Sequence, residues 1–248
     1  MHNIGYKTGN PALTASVFRE AMGRAGEEKM TLMGTVHKTA LALLIVLMAG
    51  STTWGMTPDD ALFGAAIWGG MLGGLIVAMV IIFKKHLAPM LTPVYAVLEG
   101  FFLGAISGMF DLQYEGIVSQ AVIATLGVLA TMLMAYQSKL IRPTENFKLG
   151  IISATGGIFL LYLTSMILGF FGVDMAFMHD SSPLSIGISV FIVCIAALNL
   201  VLDFDFIETG AEMGAPKYME WFGAFGLLVT LIWLYIEILR LLAKMRER

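Results

Sequence analysis

Five stretches of this chain, residues 39–56, 61–83, 116–138, 149–173 and 181–202, run for 18 to 25 residues without a single Asp, Glu, Lys or Arg. Two more, 87–110 and 221–239, carry one acidic residue each, Glu99 and Glu237. A helix needs about 20 mainly apolar residues to cross the hydrocarbon core of a bilayer. Backbone groups at that depth have no water to bond, so runs of this length satisfy them as helices, whereas a barrel would show short alternating strands. Composition agrees: 58% of residues are hydrophobic and 13% charged, against about 25% charged in a soluble domain. The expected fold is all-α, a polytopic membrane protein with seven transmembrane helices.

The connections are short and hold turn formers: Thr57-Pro58-Asp59-Asp60, Arg142-Pro143-Thr144 and Asp180-Ser181-Ser182-Pro183. No soluble domain fits between spans. The chain therefore divides into an N-terminal arm, 1–36, and a membrane domain, 37–248. The first apolar run starts too late and is too long for a signal peptide.

Positive charge sets the orientation. With the N-terminus in the cytoplasm, the inward-facing pieces carry 11 of the 15 Lys and Arg and the three outward loops carry none. The other four, Arg240, Lys244, Arg246 and Arg248, follow the last span on the wrong side. Either a basic tail is tolerated outside, or the last segment is re-entrant.

Small residues recur at four-residue spacing, as Gly69 with Gly73, Gly70 with Gly74, and Gly100, Gly104 and Gly108. In lipid such ladders let helix backbones approach closely, and packing is the preferred reading over pore lining. Ionisable groups inside spans are costly and demand a reason. Glu99 sits about ten residues into the third span, ~15 Å deep at 1.5 Å per residue. It is either a protonated carboxyl bonded to a neighbouring helix or a proton or cation site. The sixth span ends Asn199-Leu-Val-Leu-Asp203-Phe-Asp205-Phe-Ile-Glu208. Asn199 and Asp203, four apart, share a face; Asp205 and Glu208 form a second stripe expected to be a solvated helix end. Negative charge at a helix C-terminus opposes the macrodipole, so Asp203 is a poor choice for a purely structural role. In the seventh span Thr230 and Glu237 share a face, and Glu237 is expected to pair with Arg240 three residues on.

Catalysis finds no support. Cys194, the one cysteine, lies within a span, and the four histidines lie in tails or loops without paired spacing. Asp203 and Asp205 lie two apart on one helix and face apart, whereas aspartyl chemistry needs two carboxylates converging on one water. No enzyme activity or cofactor is expected, and no metal site is assigned. A net charge of −3 excludes a strongly basic nucleic-acid binder.

Several stretches resemble the Bax inhibitor-1 family, in its long bacterial branch (the Bax inhibitor-1/YccA type). They are Asn10-Pro-Ala-Leu13, Met30-Thr-Leu-Met-Gly-Thr-Val-His-Lys38, Leu98-Glu-Gly-Phe-Phe-Leu-Gly104 and, above all, Leu198 through Asp203 and Gly214-Ala-Pro-Lys-Tyr-Met-Glu-Trp221 on to Arg240. The resemblance implies six helices enclosing a central seventh, a bacterial inner-membrane location and a pH-sensitive calcium leak. It also implies a proton shared by two aspartates, one on each of the last two spans. Asp203 matches the first position; aligning Ala224, Gly226 and Arg240 puts Thr230 at the second, so the shared-proton switch does not carry over.

The resulting expectation is a cation leak channel or transporter in contact with the lipid bilayer, with calcium the favoured ion. Asp203, Glu99, Asn199, Thr230, Asp205 and Glu237 are the candidates for the ion path or pH sensing. The rival, of a different class, is a membrane adaptor that modulates a membrane protease or other membrane protein. If all seven segments cross, a reporter fused after Arg248 should read periplasmic and one placed before Thr39 cytoplasmic. Cytoplasmic readings from both would mean that the last segment does not span.

Overall fold

The computed structural model describes residues 28–173, 175 and 180–247. Seven helices are long and apolar enough to span a membrane. They are α1 (Leu32–Thr53), α2 (Gly70–Phe83, entered through a π-helical turn, Ala65–Gly69), α3 (Ala88–Gln113), α4 (Ile117–Gln137), α5 (Glu145–Phe170), α6 (Pro183–Glu212) and α7 (Met219–Arg246). Among the described residues there is no β-strand, only an isolated antiparallel bridge between Lys29 and Pro216.

Local chemistry explains the helix ends. The Thr31 hydroxyl accepts the Gly34 N–H at 3.0 Å, so α1 starts at Leu32. The helix thus includes residues 32–36, which the sequence reading assigned to the arm, and takes in His37 and Lys38 as well. A cap outweighs two polar residues in setting a helix start. The rest of the expected arm, with the Asn10–Leu13 motif, lies outside the described residues. Thr144 caps α5 through the Phe147 N–H at 3.3 Å. Ser182 caps α6 through the Ser185 N–H at 3.2 Å, with Pro183 at the first helical position. Gly214 ends the α6 turn at φ +67°, with the Gly214 N–H bonding Ala211 O and the Ala215 N–H bonding Gly210 O. That left-handed position requires glycine.

The described chain forms two compact units, with α6 and α7 contributing one part to each. The first holds α1 to α3 with Phe206–Val229. Its helices meet through the glycine ladders. A Cβ on Gly100 would lie 2.6 Å from Ala49 Cβ and 2.7 Å from Val46 O, and Gly104 and Gly108 abut the Gly50 and Trp54 carbonyls. On α2, Gly70, Gly73 and Gly74 all meet α3, a Cβ on Gly70 pressing Leu98 O at 2.6 Å, whereas Gly69, in the entry turn, has nothing within 4 Å. Tyr95 packs edge-on to Phe225 at 5.0 Å, and Phe206, Phe222 and Phe225 continue the aromatic core.

A polar clasp closes one end of this unit. Glu220, fully buried at the start of α7, accepts the Thr31 N–H at 2.9 Å and the Thr31 hydroxyl at 2.8 Å. Lys38 pairs with it and also lies over the Trp221 ring, and Lys217 stands 3.3 Å away. The Met30 N–H donates to Ala215 O at 2.6 Å, and the Lys217 N–H to Glu28 O at 2.8 Å. The entry to α1 and the α6–α7 turn are therefore at the same end. Six crossing helices between them require this.

The second unit comprises the described parts of Ser119–Asp205 and Thr230–Arg248. Ile151, Ile158, Ile192, Ile195 and Leu202 form its core, with Tyr162 and Trp233 against them. Near the end of α7, Lys244 reaches Ser185 and Ser189 in the first turns of α6, and Arg246 reaches Gln120 in the first turn of α4. Within this unit α7 therefore runs antiparallel to α6 from Thr230 to Lys244, as part of one continuous helix of 28 residues, about 42 Å long, and not as the re-entrant segment that was the alternative. It is also the most enclosed helix: 78% of its most apolar window is buried, against 11–50% for the others.

The glycine contacts give a direct test. Gly104→Leu should lower stability in detergent by at least about 2 kcal/mol through overpacking, or about 4–8 °C in Tm for a chain of this size. Gly156→Leu, on α5 with nothing within 4 Å, should leave the melting curve within about 2 °C of the parent, since its main effect is a gain in helix propensity.

Candidate ion path along the last two helices

Helical spacing places Asp203, Asn199, Ser189 and Ser185 on one stripe of α6, interrupted by Ala196 and Ile192. On α7, Thr230, Glu237 and Lys244 form a stripe interrupted by Leu234 and Leu241. Fourteen residues separate Asp203 from Ser189, and fourteen separate Thr230 from Lys244, about 21 Å in each case. The two helices run antiparallel, so the stripes stay in register. Thr230 meets Asp203 at one end and Lys244 meets Ser189 at the other.

Asp203 is 1% exposed. The Thr230 hydroxyl approaches its carboxyl, yet neither carboxyl oxygen makes a hydrogen bond of good geometry among the described residues. The approach is a contact, not a formed bond. A buried carboxyl in this condition is stable only if it carries a proton or receives a cation. Asn199, one turn away, is satisfied: its amide donates to Thr155 Oγ1 at 2.8 Å and to Ile195 O at 2.9 Å. It lies on the stripe of Asp203 but spends its donors on α5 and on its own helix.

Glu237 is 2% exposed and fully engaged. The Tyr162 hydroxyl donates to it at 2.8 Å, and Arg240 Nη1 lies 3.3 Å from it and 2.8 Å from the Tyr162 oxygen. Arg240 also stacks on the Tyr162 ring at 5.4 Å. Tyr162 was not singled out in the sequence, because one tyrosine in an apolar span carries no signal without its partner. Glu99 belongs to the first unit, where it hydrogen-bonds Tyr95 one turn earlier and packs against Gly74 of α2. The bonding partner is therefore a side chain of its own helix, α3, and not the neighbouring helix expected for it.

Asp205 corrects an expectation. It is not a solvated helix end: Lys148 Nζ lies 2.8 Å from its carboxylate, with side-chain exposures of 4% for the lysine and 15% for the aspartate. The sequence read Lys148 as a loop cation. The Thr144 cap places it instead in the first turns of α5, facing α6. Glu208, assigned to the same wet stripe, is half-buried and has a partner.

At the far end of the seam Lys244, 5% exposed, donates to Ser185 Oγ at 2.7 Å and Ser189 Oγ at 3.0 Å. The sequence treated Lys244 as tail charge. The four-residue spacing of Ser185 and Ser189, continuing the stripe of Asn199 and Asp203, was the signal that could have revealed their role. Asp180, in the loop before α6, accepts the Ser182 hydroxyl at 2.8 Å, which holds its carboxyl below the usual carboxylate range. Among the described residues no group of three or more His, Cys, Asp or Glu could hold a metal ion.

A family model described as Bax inhibitor 1 like matches residues 10–247. No curated protein and no solved structure matches the chain. The matched span takes in all seven helices and both stripes of the seam, and on that extent the chain belongs to the Bax inhibitor 1 like family.

Proposed function

We propose that this protein is a membrane cation leak, with calcium the favoured ion and Asp203 the anionic group on its path. The observation that carries the reading is the Asp203 carboxyl, buried and without a formed hydrogen bond, on the polar stripe of α6. Hard cations favour oxygen ligands, and the other acidic groups of the spans are already engaged: Glu237 by Tyr162 and Arg240, Asp205 by Lys148, Glu99 by Tyr95. In the orientation given by the positive charges, the N-terminus is cytoplasmic and Asp203 lies near the cytoplasmic face of a bacterial inner membrane. A cation entering from that face meets this carboxylate before the apolar residues Ala196 and Ile192. Thr230 at the second position of the family's aspartate pair leaves one titrating carboxyl there, so the pH response is that of a single group.

Calcium flux into liposomes holding only the purified protein tests this. Asp203→Asn keeps the shape and removes the charge. It should lower flux by about tenfold or more, a barrier change of about 1.4 kcal/mol, and flatten the pH dependence. Thr230→Asp should create a coupled carboxyl pair and a shifted, steeper pH profile. Absence of flux from the parent at every pH would leave the adaptor reading; equal flux in parent and Asp203→Asn would remove this residue from the path.

Asp205→Asn tests something else. Because it strands the buried Lys148 ammonium, its main effect should be on stability. Breaking a buried pair costs about 3 kcal/mol, less here because the aspartate is partly exposed. A lower Tm with the pH profile of flux unchanged is the expected result.

A further inference from the structure

Eleven residues of α3 precede Glu99 and fourteen follow it, so its carboxyl starts from the middle of a span. Helical spacing puts Thr92, Tyr95 and Glu99 on one face of α3. That face looks toward the first turns of α7. The Thr92 hydroxyl donates to Trp221 O at 3.3 Å, and Tyr95 packs edge-on to Phe225. The exposed Met90, Val94 and Leu112 mark the opposite face of α3. Glu99 is half-buried, between Tyr95 and Gly74 of α2. A Cβ on Gly74 would lie 2.5 Å from Glu99 Oε1. Gly70 clears a backbone carbonyl, whereas Gly74 clears a carboxyl.

The Tyr95 hydroxyl is the one hydrogen-bond partner of Glu99 among the described residues. No cation faces it within this unit. On α1, His37 and Lys38 lie in the first two turns, and residues 39–53 hold no ionisable side chain. Gly70–Phe83 of α2 holds none, and Lys84, Lys85 and His86 stand at the entry to α3. On α7, residues 221–229 hold none, Lys217 and Tyr218 precede the helix, and Glu220 is taken by Lys38 and Thr31. On α6, Glu208 and Glu212 lie beyond Phe206, the partner of Phe222, toward the clasp. Asp111 is twelve residues further along α3. A carboxylate with one neutral donor is costly where water is scarce. Calcium takes about six to eight oxygens, far more than one carboxyl and one phenol supply. A proton needs only the carboxyl.

We infer that Glu99 is a proton-binding site of the first unit, approached past the Thr92 and Tyr95 hydroxyls from the end that the Glu220 clasp closes. In its neutral form the carboxyl accepts from Tyr95 and keeps a donor of its own. In its charged form it loses that donor and takes on a desolvation cost. The packing of α2 on α3 is therefore best with the proton in place. The site stands apart from the leak reading, because Asp203 and the seam take no part in it.

Infrared difference spectra of the purified full chain in detergent, taken between acid and alkaline pH, read the C=O stretch of protonated carboxyls. Asp203→Asn is the background, so that the carboxyl of the seam adds no band. Against it, Glu99 should give a band that moves in heavy water and disappears as pH rises. Glu99→Gln should abolish the band, and Tyr95→Phe should shift it by removing one hydrogen bond. Glu99→Gln imitates the neutral acid, so its Tm should match the parent's at acid pH and exceed it by several degrees at alkaline pH. Should Glu99→Gln fail to fold, the shift in Tyr95→Phe carries the test. No titrating band in the background, or a band that neither variant alters, would overturn the site. A Tm difference between parent and Glu99→Gln that is the same at every pH would overturn it as well. All of these outcomes are read without flux, so a silent liposome assay sinks the leak and leaves the proton site untouched.

Discussion

A polar side chain in a hydrocarbon layer has no water to fall back on, so it must be met by another polar group, lose its charge, or hold an ion. The α6–α7 seam is organised by that demand. Asn199 reaches Thr155, Glu237 reaches Tyr162 and Arg240, Lys244 reaches Ser185 and Ser189, and Asp205 reaches Lys148. Each partner comes from a neighbouring helix or from the next turn, so meeting the demand also fixes the helices' rotation and register. Asp203 stands out because its neighbours do not meet it in the same way. A seam that satisfies nearly every group and leaves one carboxyl without a formed bond concentrates the unsolved electrostatics at one point, and that is where an ion or a proton has most to gain.

The same demand bears on the charge pattern that the sequence left open. Four basic residues after the last span contradict the rule that positive charge stays inside. Three of them have side-chain partners, two inside the fold and one at its surface. Arg240 is held by Glu237 and Tyr162, Lys244 by two serines, and Arg246 by Gln120. Charges consumed by the fold exert less pull on topology than free ones. At the opposite end Lys38 and Lys217 serve the fold in a comparable way, through Glu220, so the strongest basic signals of the sequence are partly structural in origin.

How much of this was legible depended on whether the signal was periodic or relational. Spans announce themselves by length and by missing charge, and all seven were readable. Gly100, Gly104 and Gly108 were readable as packing because their spacing matches a helix face. Gly69 was not distinguishable from Gly70, since only the neighbouring helix decides which of two adjacent glycines touches anything. The start of α1 was missed because hydropathy places it after Lys38, while the Thr31 hydroxyl, one atom in one turn, places it at Leu32. Asp205 was misread because its partner, Lys148, lies 57 residues away in the sequence and looked like an ordinary loop cation. Partners so far apart leave no local trace.

Thr230 shows where family resemblance and physical chemistry part company. The resemblance places it opposite Asp203, and the structure brings its hydroxyl to that carboxyl. A hydroxyl can donate to a carboxylate or accept from a carboxylic acid, so it tolerates either charge state and favours neither strongly. A second carboxylate would not be neutral in this sense, because two such groups at close range cannot both ionise cheaply and so divide one proton between them. Replacing that carboxylate by Thr230 therefore keeps the contact and removes the coupling.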